Sequence, residues 1–157
     1  MATRTVPDSS RIDRSTPRRI GAASVPGGDA GRLLLRLALG VLILLHGVAK
    51  IGSGPSAILG MVSSAGLPSA LGYLVYVGEV LAPLLVIVGI WTRPAALVIA
   101  INMVVAVGLA HLPQLFTVTK MGGWALELQG MFFATAVAIA LLGAGRFSLG
   151  GAGGRWN

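Results

Sequence analysis

Apolar residues fill four long stretches of this chain, 33–51, 70–91, 95–112 and 124–142, and polar residues gather in the short breaks between them. Each stretch is close to the ~20 residues a helix needs to cross ~30 Å of hydrocarbon. The pattern predicts an all-α integral membrane protein, a bundle of four spanning helices. The breaks carry the residues that end and start helices. Gly52-Ser53-Gly54-Pro55 stops the first helix, because Gly and Pro leave helical geometry easily. Residues 56–65 suit a half-helix lying at the outer surface. Gly66-Leu67-Pro68-Ser69 opens the second span, with Ser69 as a cap, and Thr92 caps the third with Pro94 in its first turn. Met121-Gly122-Gly123 precedes the fourth. Small residues recur at helical spacing, Gly40 and Gly47 on the first helix and Gly130, Ala134 and Ala138 on the fourth, as faces for close helix packing. Residues 1–31 show no apolar periodicity and read as a disordered Arg-rich cytoplasmic tail. The spans occupy 32–149, and 150–157 read as a flexible C-terminal tail.

Composition sharpens this picture. The chain is 55% hydrophobic and 11% charged, whereas a soluble domain carries roughly a quarter charged residues. It has no cysteine, which excludes disulfides, thiolate metal sites and CxxC redox chemistry. The net charge of +7 comes mostly from one tail, Arg4, Arg11, Arg14, Arg18, Arg19 and Arg32. Basic residues flanking a span set its orientation and meet anionic lipid, so the charge does not point to nucleic acid. Arg18-Arg19 ahead of an apolar run has the form of a twin-arginine export signal, but the run is longer than a cleavable signal core. With both termini in the cytoplasm, only Lys50 and Lys120 of the 12 basic residues lie outside. The positive-inside rule therefore puts the termini in and the first and third loops out.

That orientation brings the ionisable residues to one depth. His46 and Lys50 fall one turn apart in the outer third of the first helix. Glu79 lies about 13 Å down the second helix at ~1.5 Å per residue. His111 ends the third helix and Glu127 begins the fourth. Charge inside a bilayer is costly and calls for a partner or a function, and Glu79 is the deepest carboxylate, with Lys50 or His46 as its available partners. Each residue also has a plainer role: Lys50 snorkelling to headgroups, Glu127 and His111 answering helix dipoles, Glu79 in a structural ion pair. Tyr73, Tyr76 and Glu79 are spaced i, i+3, i+6 and form a stripe suited to a flat ligand with a polar head, or an aromatic belt. Pro83, four residues past Glu79, breaks one backbone bond and kinks the helix. Asn102 sits mid-span, where an amide bonds between helices. Two His and two Glu suit zinc, iron or manganese by type, but no pair has the spacing of a helical metal motif, so no metal is expected.

The motifs Arg36-Leu37-Ala38-Leu39-Gly40 and His46-Gly47-Val48-Ala49-Lys50 resemble the first-helix signature of the DoxX family. Gly78-Glu79 with Gly89-Ile90-Trp91-Thr92-Arg93, then Gly122-Gly123-Trp124-Ala125-Leu126-Glu127, and finally Gly143-Ala144-Gly145-Arg146-Phe147-Ser148-Leu149 extend the likeness over about 32–149. Gly150 departs from it, since the family usually has Asp there. The resemblance implies a multi-pass protein of the bacterial inner membrane and a place in quinone-linked oxidoreductase systems. On that reading Glu79, His46 and Lys50 are catalytic, with Glu79 exchanging a proton and the other two polarising a quinone oxygen. Tyr73, Tyr76, His111 and Glu127 bind substrate. The expected cofactor is quinone, none is covalent, and the expected partners are the lipid bilayer, a redox protein and a second copy of the chain. The alternatives are a non-catalytic membrane anchor or assembly factor and a small-solute or ion carrier.

Overall fold

The computed structural model describes residues 27–151, 153, 154, 156 and 157. The expected N-terminal tail lies outside the described residues as far as 26, and the chain is already helical from Gly28. Among the described residues five helices follow: α1 (Gly28–Ser53), α2 (Ser56–Ser64), α3 (Ser69–Val88), α4 (Thr92–Gln114) and α5 (Glu127–Leu142). With 26, 20 and 23 residues, α1, α3 and α4 are long and apolar enough to cross a membrane. The short α2 occupies the stretch expected to form a half-helix. The fourth helix is shorter than its apolar run. Val118 and Trp124 form an antiparallel bridge, and the Glu127 carboxylate accepts the Trp124 N–H at 3.0 Å. That turn uses residues 124–126 and leaves α5 with 16, about 24 Å at the helical rise.

The core lies where α1, α3, α4 and α5 meet, around Leu39, Ile43, Val86, Ile99, Met103 and Ile139. Only about a third or less of each long span is buried. The outward residues are as apolar as the core, with Leu34, Ile101 and Leu141 each more than 60% exposed. So large an apolar surface belongs in lipid rather than water.

Small residues set the close approaches. A Cβ on Gly40 would come within 2.5 Å of the Ile87 side chain, and one on Gly47 would collide with the Glu79 backbone carbonyl. The α5 stripe does not pack as expected. Its buried residues are Phe132, Ala136, Ile139 and Ala140, while Ala134 is exposed and Gly130 receives the Trp124 ring. Neither expected cap forms: Ser69 and Thr92 are already helical and make no capping bond.

One end of the bundle is tied by polar groups. Arg36, within α1, is only 1% exposed. Its guanidinium donates to the carbonyls of Val86, Ile87, Ala144 and Phe147 at 2.8–2.9 Å. It thus satisfies the last carbonyls of α3 and fastens the segment after α5. Gly89 is needed beside it, because a Cβ there would meet the guanidinium. Asp29 bonds Arg32 at 3.1 Å and the Arg146 N–H at 3.3 Å. In the stretch expected to be a flexible tail, Gly150, Gly151, Gly154, Trp156 and Asn157 are hydrogen-bonded. Gly150 N–H donates to Gly89 O at 3.0 Å, and Asn157 is buried. A Cβ on Gly150 would fall on the Asn157 carboxamide, whose Oδ1 accepts the Thr92 N–H and hydroxyl at 3.3 and 3.1 Å. Where the resemblance calls for an acidic side chain at 150, Asn157 fills the space and caps α4.

Candidate functional site

Glu79 sits at the far side of the core from Arg36, on a π turn of α3 over Val77–Leu81. Pro83 offers no N–H to the Glu79 carbonyl, and the widened turn accommodates the missing bond. The residue is 3% exposed. Its Oε1 accepts the Lys50 ammonium from α1 in an ion-paired hydrogen bond, and the Asn102 amide from α4 at 3.3 Å. Its Oε2 is buried with no hydrogen-bond partner among the described residues. Two glycines allow this convergence. Gly47 lets α1 rest on the Glu79 backbone, and Gly78 leaves room for Asn102, which a Cβ would approach to 2.5 Å. An unpaired carboxylate at mid-membrane costs about 2.5–3.5 kcal/mol. The ammonium and amide offset that at one oxygen and leave the other chemically open.

Two cavities meet at this pair. One, of about 230 Å³, is lined by His46, Lys50, Glu79, His111, Gln129 and Phe132 among others. The second, of about 350 Å³, shares Lys50, Glu79 and His111, adds Asn102, and is otherwise mostly apolar. His111 lies on a second π turn, Val107–His111, and its Nδ1 bonds Gln114 at 3.2 Å. His46 packs edge-on against Phe132, ring centroids 5.8 Å apart. Its Nδ1 lies 2.8 Å from Leu42 O. A carbonyl only accepts, so Nδ1 carries the proton and Nε2 is the nitrogen left free to exchange one.

The structure thus brings together His46, Lys50, Glu79 and His111, and leaves the other three expected residues apart. Tyr73 and Tyr76 line a separate groove with Ile51, Pro55 and Leu84, and the Tyr76 hydroxyl reaches only the Lys50 carbonyl, at 3.5 Å. The stripe with Glu79 assumed α-helical phase. A π turn advances each residue by a smaller angle, so Glu79 turns inward while the tyrosines stay outside. Glu127 is exposed in the first turn of α5, holding the Trp124 N–H. Its helix presents Leu128, Gln129 and Phe132 to the cavity instead. Asn102, read from sequence as an interhelical bond, does form one and is a member of the site. Gln129 and Phe132 carried no sequence signal beyond their helix.

A buried acid with one free oxygen, a lysine and two imidazoles around connected cavities can bind a hydrogen-bonding head group and move protons to or from it. The DoxX family model matches residues 31–112, which contain all four converging side chains. The chain is 29% identical over 115 residues to "Putative oxidoreductase CatD" of Bacillus subtilis (strain 168), covering 73% of this chain and 81% of that protein. No solved structure matches it. Its apolar helices make it a multi-pass membrane protein, and by the extent of the family match the chain belongs to the DoxX family.

Proposed function

We propose that this protein is a quinone-linked membrane subunit of a redox system in the bacterial inner membrane. Its termini face the cytoplasm, and α5 completes a four-helix bundle. The observation that carries the reading is the Glu79 carboxylate, buried, held at one oxygen by Lys50 and Asn102 and unpartnered at the other, at the meeting of two cavities. The printed name of the Bacillus subtilis relative, an oxidoreductase, supports the redox class.

In this role Lys50 and Glu79 orient the quinone head group, and Oε2 of Glu79 exchanges a proton with its oxygen. Oxidation of a quinol to a quinone releases two protons and two electrons. Glu79 takes the two protons one after the other, passing each on through the small cavity that His46 and His111 border before it accepts the next, and the two electrons pass to a redox centre on a partner protein. The polarising role expected of His46 and Lys50 together rests in this reading on Lys50 alone, since His46 lines the smaller cavity and not the larger. The test is equilibrium binding of a quinone analogue to wild type and Glu79→Gln in nanodiscs. At least a tenfold loss in the variant is expected, and equal binding overturns the site.

The anchor reading draws on a different observation. In the segment between α4 and α5, Phe116 and Met121 are 94% and 98% exposed beside Lys120. Gentle detergent extraction that recovers a stable redox partner, lost when both residues become Ser, with no quinone bound by either form, favours the anchor.

A further inference from the structure

The cavity on the Asn102 side of the Lys50–Glu79 pair does not end there. It shares Val62, Leu71, Asn102, Val105 and Leu109 with a third cavity of about 400 Å³. Their shared lining sets them side by side between α3 and α4, under α2, as two chambers of a candidate passage. Each lies in the 300–1,000 Å³ range of small-molecule sites, while the His46 cavity, at about 230 Å³, falls below it. Polarity is sharply divided along the passage. Lys50, Glu79 and His111 stand at one end, Asn102 lies where the two cavities adjoin, and mostly aliphatic side chains line the rest. The far end opens between Leu74 and Ile101, which are 59% and 62% exposed on the apolar outer surface of the helices. Joined end to end, the two chambers reach from the apolar outer surface to the Lys50–Glu79 pair.

From this shape we infer a binding site for the hydrocarbon chain of a lipid-soluble ligand. The passage under α2 receives a prenyl chain from the bilayer, with the polar head stopped at the Lys50–Glu79 pair. This rests on the quinone reading for the identity of the head, but not for the passage itself. The occupant is an amphiphile rather than a plain lipid acyl chain because the inner end offers charge and hydrogen-bonding groups that hydrocarbon cannot satisfy. The smaller His46 cavity, outside this passage, remains the proton side of the pair. Lipid chains are as apolar as the passage walls, so partition alone favours neither place. Selection comes from fit, and filling the passage excludes the chain sterically.

The test compares variants with wild type, ligand by ligand, so that partition into the membrane cancels. Val105→Trp and, as a second variant, Leu71→Trp narrow the passage where both of its cavities are lined. For a quinone bearing a prenyl chain, Kd should rise at least tenfold in either variant. For the same ring without a chain it should stay within twofold. Equal shifts for both ligands, or no shift for the tailed one, overturn the passage while leaving the head-group site standing. If neither quinone saturates wild type, the functional reading fails. The passage is then judged on wild type alone, with a diazirine-bearing prenyl alcohol. Label on the inward-lining Val62, Val75, Asn102 or Leu109 supports it, and label confined to outward positions such as Leu45, Leu74, Ile101 and Leu141 overturns it.

Discussion

Replacing Lys50 by Met keeps much of the side chain's length and removes its charge, leaving Glu79 with a single hydrogen bond from Asn102. The two members of the pair differ in burial, with side-chain exposures of 36% for Lys50 and 4% for Glu79. Breaking a fully buried pair from one side costs about 3–5 kcal/mol. An exposed pair is worth at most about 1 kcal/mol. With one member buried and the other reaching the surface, Lys50→Met should destabilise the folded state by about 2–3 kcal/mol, between those bounds. Glu79→Gln removes the charge that cannot reach water and leaves the one that can, so its cost should be smaller, about 1–2 kcal/mol. The double variant has no uncompensated buried charge. Its destabilisation should fall short of the sum of the singles by about 1.5–2 kcal/mol, above the ~0.5 kcal/mol scatter of independent sites. Reversible unfolding of all four proteins in mixed micelles, monitored by circular dichroism, measures this cycle. Additivity within ~0.5 kcal/mol would refute the pairing.

Three further outcomes follow from the packing. Gly47→Ala pushes a methyl group into the Glu79 backbone carbonyl, so it should cost about 1–3 kcal/mol in the same unfolding assay and weaken quinone-analogue binding, whereas Gly60→Ala, with open space around it, should change neither. Arg36→Gln leaves several buried carbonyls without a donor, at roughly 1–3 kcal/mol each; a fall in thermal midpoint larger than that of any other single variant here is expected, and an unchanged midpoint would contradict the latch. Asn157→Ala removes the side-chain acceptor at the start of α4 and should cost about 1 kcal/mol, seen as faster amide exchange at Thr92 with no change at Glu79.

The apolar runs located α1, α3 and α4 because spanning helices need length and hydrophobicity, and both are additive along a sequence. The turn at Gly54 was equally legible, since its φ of 79° suits glycine. The run to Leu142 overestimated α5 because hydropathy cannot tell a helical Trp124 from one paired across a turn with Val118. The site was legible to the extent that α-helical phase holds. His46 and Lys50 sit on regular helix, so their shared face came out directly. Glu79 and His111 both sit on π turns, whose phase shift no apolar pattern records, and the tyrosine stripe was lost there. Nothing in the sequence marked Arg36 for burial, because its acceptors are carbonyls contributed from 50 to 111 residues away. No local spacing encodes such a contact.

Photolabelling with a quinone that carries an azide on its ring, followed by peptide mapping of the full chain in nanodiscs, tests the proposed head-group site most directly. The expected result is label on Lys50, Glu79, Asn102 or His111 that disappears with excess unlabelled quinone. Label spread over outward residues such as Leu34, Leu45 and Leu141, and insensitive to competition, would contradict it.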